Sequence, residues 1–253
     1  MSDPESLHSC PLPGRDEAWA LFLDLDGTLS PLQAKPSDVV LEAHLLALLD
    51  ALHRRLDGAL AIISGRSIDN LNQLLSPLKL PLAGQHGAER HDAANGYSLT
   101  EPDYATLEKA RDTLERFLAS HPELELEDKG ASLALHYRNA PAKQRDIERQ
   151  LRALQDTLGD ALTMHGGKSV FELRTTSCNK GRAIRQFMEV EPFASRMPVF
   201  LGDDLTDEDG FAAVNALGGL SVKVGRGDTQ ARYRLDDTQA VEAWLKACLA
   251  RFQ

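Results

Sequence analysis

Three runs in this chain are apolar at every position, ALFL at 20–23, ALAII at 59–63 and VFL at 199–201, and a fourth, LSVKV at 220–224, is mostly so. A strand with water on one face alternates apolar and polar side chains, so strands without that alternation must be covered on both faces. Between the runs lie segments of helical period. Residues 39–56 carry Leu41, Leu45, Leu48, Leu49, Leu52 and Leu56 on one stripe, and further helices are predicted at about 207–217 and 238–249. Buried strands separated by helices predict an α/β core built on a parallel sheet.

Residues 97–174 follow a different pattern. A helix with Leu107, Leu114, Phe117 and Leu118 precedes strands at 123–127 and 132–138, joined by a turn at 128–130. A second helix with Ile147, Leu151, Leu154 and Leu158 precedes strands at 162–165 and 169–174, joined at Gly166 and Gly167. This repeated helix-strand-strand unit predicts an inserted α/β domain over 97–174 with a small antiparallel sheet; the core then consists of 1–96 and 175–253. Side chains alternate along a strand, so Leu133, Leu135 and Tyr137 share one face, and His136 and Arg138 share the other with Ala134. In the last strand Phe171 and Leu173 oppose Lys168, Glu172 and Arg174. One face is expected to pack on helices and the other to display hydrogen-bonding groups.

A chain of 253 residues has room for both domains. Residues 1–15 hold prolines and no apolar period, and are expected to fray. No apolar run reaches the roughly 18–20 residues that cross a bilayer, and no leader pattern opens the chain, so a cytoplasmic protein is expected, with no membrane partner. Cys10, Cys178 and Cys248 are widely spaced and odd in number, which suggests reduced thiols rather than disulfides or a zinc site. A formal net charge of -10 argues against nucleic acid as a partner. A monomer is expected.

The segment LFLDLDGTLS places Asp24 and Asp26 just past a buried strand, before Gly27 and Thr28. Ligands bind at the carboxyl ends of parallel strands, and two carboxylates facing one cleft repel unless they share a cation. An Asp-x-Asp-Gly sequence is also a common turn. Three further segments add to it in order. Ser64 ends the second buried run in AIISGR and offers a hydroxyl and nearby N-H groups to a phosphoryl oxygen. Lys180, at a helix start in NKG, supplies a point charge suited to phosphate and crowded carboxylates, or else is a solvated surface lysine. Asp203 and Asp204 follow the 199–201 strand in VFLGDDLTDED, where Glu208 and Asp209 also suit a solvated helix start.

As a set, Asp24 and Asp26, Ser64, Lys180, and Asp203 with Asp204 resemble the four motifs of the haloacid dehalogenase superfamily. The resemblance implies a Rossmann-like core, with Asp24 as nucleophile forming an aspartyl phosphate and Asp26 as general acid, then base. It assigns magnesium to Asp24, Asp203 and the backbone carbonyl of Asp26, with Asp204 and Asp207 close by; such an all-oxygen set suits a hard cation. Magnesium and Lys180 would also make the cleft of an acidic protein receptive to a phosphate ester.

The long stretch between Ser64 and Lys180 resembles the superfamily's inserted cap, which closes over the site and selects substrate. Its sequences GQHGAE (84–89), LEDKGASLALHYRNA (126–140) and HGGKSVFELR (165–174) are similar to those of trehalose-6-phosphate phosphatases, and the likeness runs from about Trp19 to Trp244. Trehalose 6-phosphate is the substrate so implied. A disaccharide is rich in hydroxyls, so its pocket needs carboxylates and cationic donors. His86, Gly87, Glu127, Lys129, His136, Arg138, Asn139, Lys168 and Glu172 are the candidates. For His136 and Arg138 an exposed strand face is the alternative, for Lys168 an edge guard, and for His86 a structural role. Arg66 and Arg174 are read as a loop anchor and a surface charge. Sucrose-phosphate phosphatases and hexose-phosphate mutases are the nearest rivals, and a catalytically silent relative is disfavoured by the intact motifs. A stand-alone enzyme is expected rather than part of a bifunctional synthase-phosphatase.

Overall fold

A computed structural model describes residues 10–14, 17–33, 35–92, 95–101, 103–128, 132–167 and 169–252. The chain divides into two compact units, Met1–Leu99 with Asn179–Gln253, and Thr100–Cys178. In chain order the first unit holds β1 (Trp19–Leu23), α1 (Ala43–Arg55), β2 (Leu60–Ile63), α2 (Ile68–Leu75), β3 (Leu82–Gly84), β4 (Glu89–Asp92) and β5 (Gly96–Leu99). The second holds α3 (Tyr104–Leu118), β6 (Glu125–Asp128), β7 (Ser132–His136), α4 (Gln144–Leu158), β8 (Leu162–Gly167) and β9 (Val170–Thr175). The first unit resumes with α5 (Lys180–Met188), β10 (Met197–Gly202), α6 (Glu208–Ala216), β11 (Leu220–Val224), β12 (Tyr233–Leu235) and α7 (Thr238–Arg251).

The large sheet runs in the order β12-β11-β10-β1-β2-β3-β4-β5. Pairing is parallel from β12 to β3, and β4 and β5 extend the sheet antiparallel. Every residue of β1 and β2 is buried, as strands covered on both faces require. Phe22 packs against Phe187 and Phe193 on α5 and the turn after it, and Phe200 against Phe211 on α6. Leu23 pairs with both Leu201 and Ile62, so β10, β1 and β2 end level with one another. Successive strands spread from β1 in opposite directions, and a crevice opens at such a reversal beyond the strands' carboxyl ends.

The sheet departs from the sequence reading at its edge. Gly96–Leu99, within which Tyr97 was expected to begin the insertion, pairs with β4 in the large sheet. Its residues are all exposed, so no apolar alternation marks them as a strand. Helix α1 begins at Ala43 instead of residue 39: Val39 and Val40 are β-branched, and Glu42, the N-cap, is extended without a side-chain cap. Residues 1–9 and 15, expected to fray, lie outside the described residues. Cys10, by contrast, is buried, and the carbonyls of Cys10 and Pro11 accept hydrogen bonds from Trp244 Nε1. All three cysteines are free and buried, and burial pushes the Cys10 thiol up to about 12.

The second unit is built from α3-β6-β7 and α4-β8-β9 and carries an antiparallel sheet ordered β6-β7-β9-β8. Leu133, Leu135, Phe171 and Leu173 form its core with Leu107 and Leu114 of α3 and Ile147 and Leu151 of α4. In register on the other face stand Glu127, Ala134 and Glu172 in one row, with Glu125 and His136 in the next. Among the described residues, no helix is long and apolar enough to cross a membrane.

Candidate active site

Asp24 is the first residue beyond β1, and its N-H donates to the Leu201 carbonyl of β10 at 3.0 Å, which fixes the backbone where the crevice opens. Its carboxylate is buried and meets Lys180, which is 3% exposed and begins α5. Lys180 Nζ donates to Asp24 Oδ1 at 2.7 Å and to Asp207 Oδ1 at 2.6 Å. That burial excludes a solvated surface lysine. Burial pushes the lysine's pKa down, but Asp207 and Asp24 outweigh it and the net shift is upward, so the ammonium stays charged. The Asp24 carboxyl is raised well above its ordinary range, by burial first and by Asp207 and Asp203, with Lys180 opposing.

Asp203 lies beyond β10 in the same crevice. Oxygen atoms of Asp24, Asp203 and Asp207 all fall within 4.8 Å of one another. Gly27 makes this approach possible: its φ is +85°, and a Cβ there would stand 2.0 Å from Asp203 Oδ2. Lys223 Nζ, buried on β11, donates to the Asp203 carbonyl. Asp203 is pushed up to about 6 by burial, then by Asp207 and Asp204. Three crowded carboxylate groups, one with its proton affinity raised this far, fit a hard divalent cation, which takes oxygen ligands and would relieve the repulsion.

Asp204, expected close by the metal, caps the next helical turn. It is exposed, its Oδ1 accepts from Leu205 N at 2.6 Å, and its own N-H donates to Asp207 Oδ2 at 2.9 Å. This reciprocal cap turns the Asp204 carboxylate to the start of the following helical turn and brings Asp207 into the cluster.

Ser64 is buried one residue past β2, and its Oγ accepts from Arg66 N at 3.2 Å. Arg66, read from the sequence as a loop anchor, grips Asp26: Nε to Oδ2 at 2.6 Å and Nη2 to Oδ1 at 2.7 Å. His86 packs its imidazole against Gly65. Gly87 adopts φ +101° and lies where a Cβ would be 2.7 Å from the carbonyl of Asn179, the N-cap of α5, so its missing side chain lets Lys180 come in. His86 and Gly87 thus belong to the first unit, beside the Ser64 loop.

The remaining candidates lie in the second unit. His136 Nε2 is 2.9 Å from Glu127 Oε2, and the two line a groove of about 420 Å³ with Glu123, Glu125, Arg138 and Asn139. Glu172 accepts from Ser132 Oγ at 2.7 Å and from Arg174 Nη2 at 2.8 Å, so Arg174 is a partner of the polar face rather than a loose surface charge. Lys129 and Lys168 lie outside the described residues.

A crevice at the reversal of a parallel sheet, with a lysine among carboxylates and a serine on the neighbouring strand end, places this protein among the phosphatases of the haloacid dehalogenase type. Residues 22–239 match the family described as trehalose-phosphatase. The chain is 43% identical over 235 residues to the trehalose-6-phosphate phosphatase of Escherichia coli (strain K12), covering 93% of this chain and 88% of that one. It is 42% identical over 207 residues to a probable trehalose-phosphate phosphatase of Sinorhizobium fredii, covering 82% and 78%. The solved trehalose-6-phosphate phosphatase of Aspergillus fumigatus aligns with a TM-score of 0.76 at 26% identity, over 93% of this chain and 94% of that one. The chain belongs to the trehalose-phosphatase family.

Proposed function

We propose that this protein hydrolyses trehalose 6-phosphate to trehalose and inorganic phosphate, the last step of trehalose biosynthesis, through an aspartyl-phosphate intermediate on Asp24. The observation that carries the chemistry is the buried Asp24 carboxylate. One oxygen is held by Lys180 at 2.7 Å, which leaves the other for attack on phosphorus. As the bond from Asp24 to phosphorus forms, Asp26 gives a proton to the departing sugar oxygen. Asp26 then takes a proton from water, which attacks the phosphorus and frees Asp24. Ser64, with the N-H groups that follow it, holds phosphoryl oxygens, and Lys180 keeps Asp24 and Asp207 together without repulsion.

Magnesium is the cofactor of this reading; Asp24, Asp203 and the Asp26 carbonyl would hold it, with Asp207 and Asp204 close by, and it would neutralise charge on the transferring phosphoryl group. Sugar hydroxyls are assigned to His86 and Gly87 in the first unit and to Glu127, Lys129, His136, Arg138, Asn139, Lys168 and Glu172 in the second. Family membership and the carboxylate-rich polar face of the second unit support that assignment. The reading includes a monomer acting in the cytoplasm.

Asp24→Asn tests the mechanism. Acid quenching during turnover of ³²P-labelled substrate should trap label on the Asp24 peptide of the native protein, while the variant neither traps label nor releases phosphate yet stays folded. Retained phosphate release in the variant would refute a nucleophilic Asp24.

A further inference from the structure

We infer that Arg66 is the residue that positions Asp26 for proton transfer, an inference that rests on the role of Asp26 given above. Asp26 sits on the loop after β1 with its side chain 31% exposed, and both of its oxygens are taken by one guanidinium, at 2.6 and 2.7 Å. Paired parallel hydrogen bonds of this kind fix orientation as well as distance. The guanidinium is itself immobilised: it is 9% exposed, and Nη1 donates to Asn70 Oδ1 on α2 at 2.8 Å. Its backbone is tied on both sides, N-H to Ser64 Oγ at 3.2 Å and carbonyl from Gln85 N-H at 2.8 Å.

The consequence is geometric. Ser64 and Arg66 share one short loop, so the same segment that receives the phosphoryl group sets the place of the acid that must reach the oxygen leaving it. Arginine does not give up its proton near neutral pH, so it serves as a holder and not as the acid. In the reacting complex one Asp26 oxygen stays on Arg66. The other, carrying the proton, turns to the sugar oxygen and releases that proton as the phosphorus–oxygen bond breaks and the bond to Asp24 forms.

The leaving group separates this role from others. A sugar alkoxide is a poor leaving group and needs the acid, whereas p-nitrophenolate departs without one. Kinetics of kcat/KM, which report the steps through leaving-group departure, are measured on trehalose 6-phosphate and p-nitrophenyl phosphate for Arg66→Gln, Arg66→Lys, Asp26→Asn and the double variant Arg66→Gln/Asp26→Asn. Arg66→Gln should lower kcat/KM on the sugar ester at least about tenfold more than on the aryl ester, a fraction of what general acid catalysis supplies. Arg66→Lys keeps the buried charge and should fall between, because it lacks the two parallel donors. In the Asp26→Asn background, Arg66→Gln should add no further selective loss. Equal losses on both esters would overturn the inference in favour of a phosphate contact or a structural role. A selective loss that persists in the Asp26→Asn background would overturn it in favour of a direct sugar contact. If Asp26→Asn itself shows no selectivity, the role of Asp26 fails and the inference falls with it; if Asp26→Asn is selective and Arg66→Gln is not, only the inference falls.

Discussion

Asp203 shows how crowding at single residues ties stability to pH. Burial, Asp207 and Asp204 hold its pKa at about 6, while Lys180 and Lys223 pull the other way. An aspartate in an unfolded chain titrates at ~3.9, so the folded protein binds this proton more tightly. The resulting stability is fully present below about pH 4 and is lost as pH rises through about 6. Asp203→Asn removes that dependence. Metal-free native protein should therefore lose stability relative to Asp203→Asn as pH rises from about 4 to 7, and denaturant midpoints measured across that range check it. A pH-independent difference would mean that Asp203 is not crowded. Asp24, Ser64, Lys180 and Asp203 were legible in the sequence because each follows a buried strand or opens a helix, and the sheet brings those points together. Arg66 was not legible as a clamp, since its partner is 40 residues away and an arginine in a loop has no pattern of its own. Asp204 and Asp207 sit in one acidic run, and only the capping geometry decides which carboxylate turns inward.

At the scale of elements, period two carried the second unit. Leu133, Leu135, Phe171 and Leu173 fall on the helix-covered face, and Glu127, His136 and Glu172 on the opposite one. Glu127 pairs with His136, and Glu172 with Ser132 and Arg174, so both carboxylates are already oriented. Glu127→Gln or Glu172→Gln should raise KM or lower kcat for trehalose 6-phosphate by about tenfold or more, as expected when a hydrogen-bonding subsite loses its charge. Hydrolysis of p-nitrophenyl phosphate should change far less, and steady-state kinetics on the two esters measure the contrast. Equal losses would remove these residues from sugar recognition. The β4-β5 hairpin escaped the sequence reading for the converse reason: Gly96–Leu99 is exposed throughout, and a strand with no buried face leaves no period.

At the scale of the molecule, a formal net charge of -10 sets an acidic protein against a phosphorylated substrate. Lys180 and Lys223 are buried at the crevice and Arg66 lines it, but Asp24, Asp26, Asp203 and Asp207 stand among them, so the crevice offers a phosphate ester individual cations and no net positive charge of its own. On the proposed reading, a divalent cation among Asp24, Asp203 and Asp207 would supply the missing positive charge. Fold class follows from the order of the strands, and the proposed catalytic chemistry is argued from the residues at their ends, whereas the proposed choice of a disaccharide rests on the second unit and on family membership. The most direct measurement is inorganic phosphate released by the purified protein from a panel of trehalose 6-phosphate, sucrose 6-phosphate and glucose 6-phosphate, each with magnesium and with a chelator. The account predicts rapid release from trehalose 6-phosphate, much slower release from the other two and none with the chelator. Equal rates across the panel, or undiminished release without a divalent cation, would contradict it.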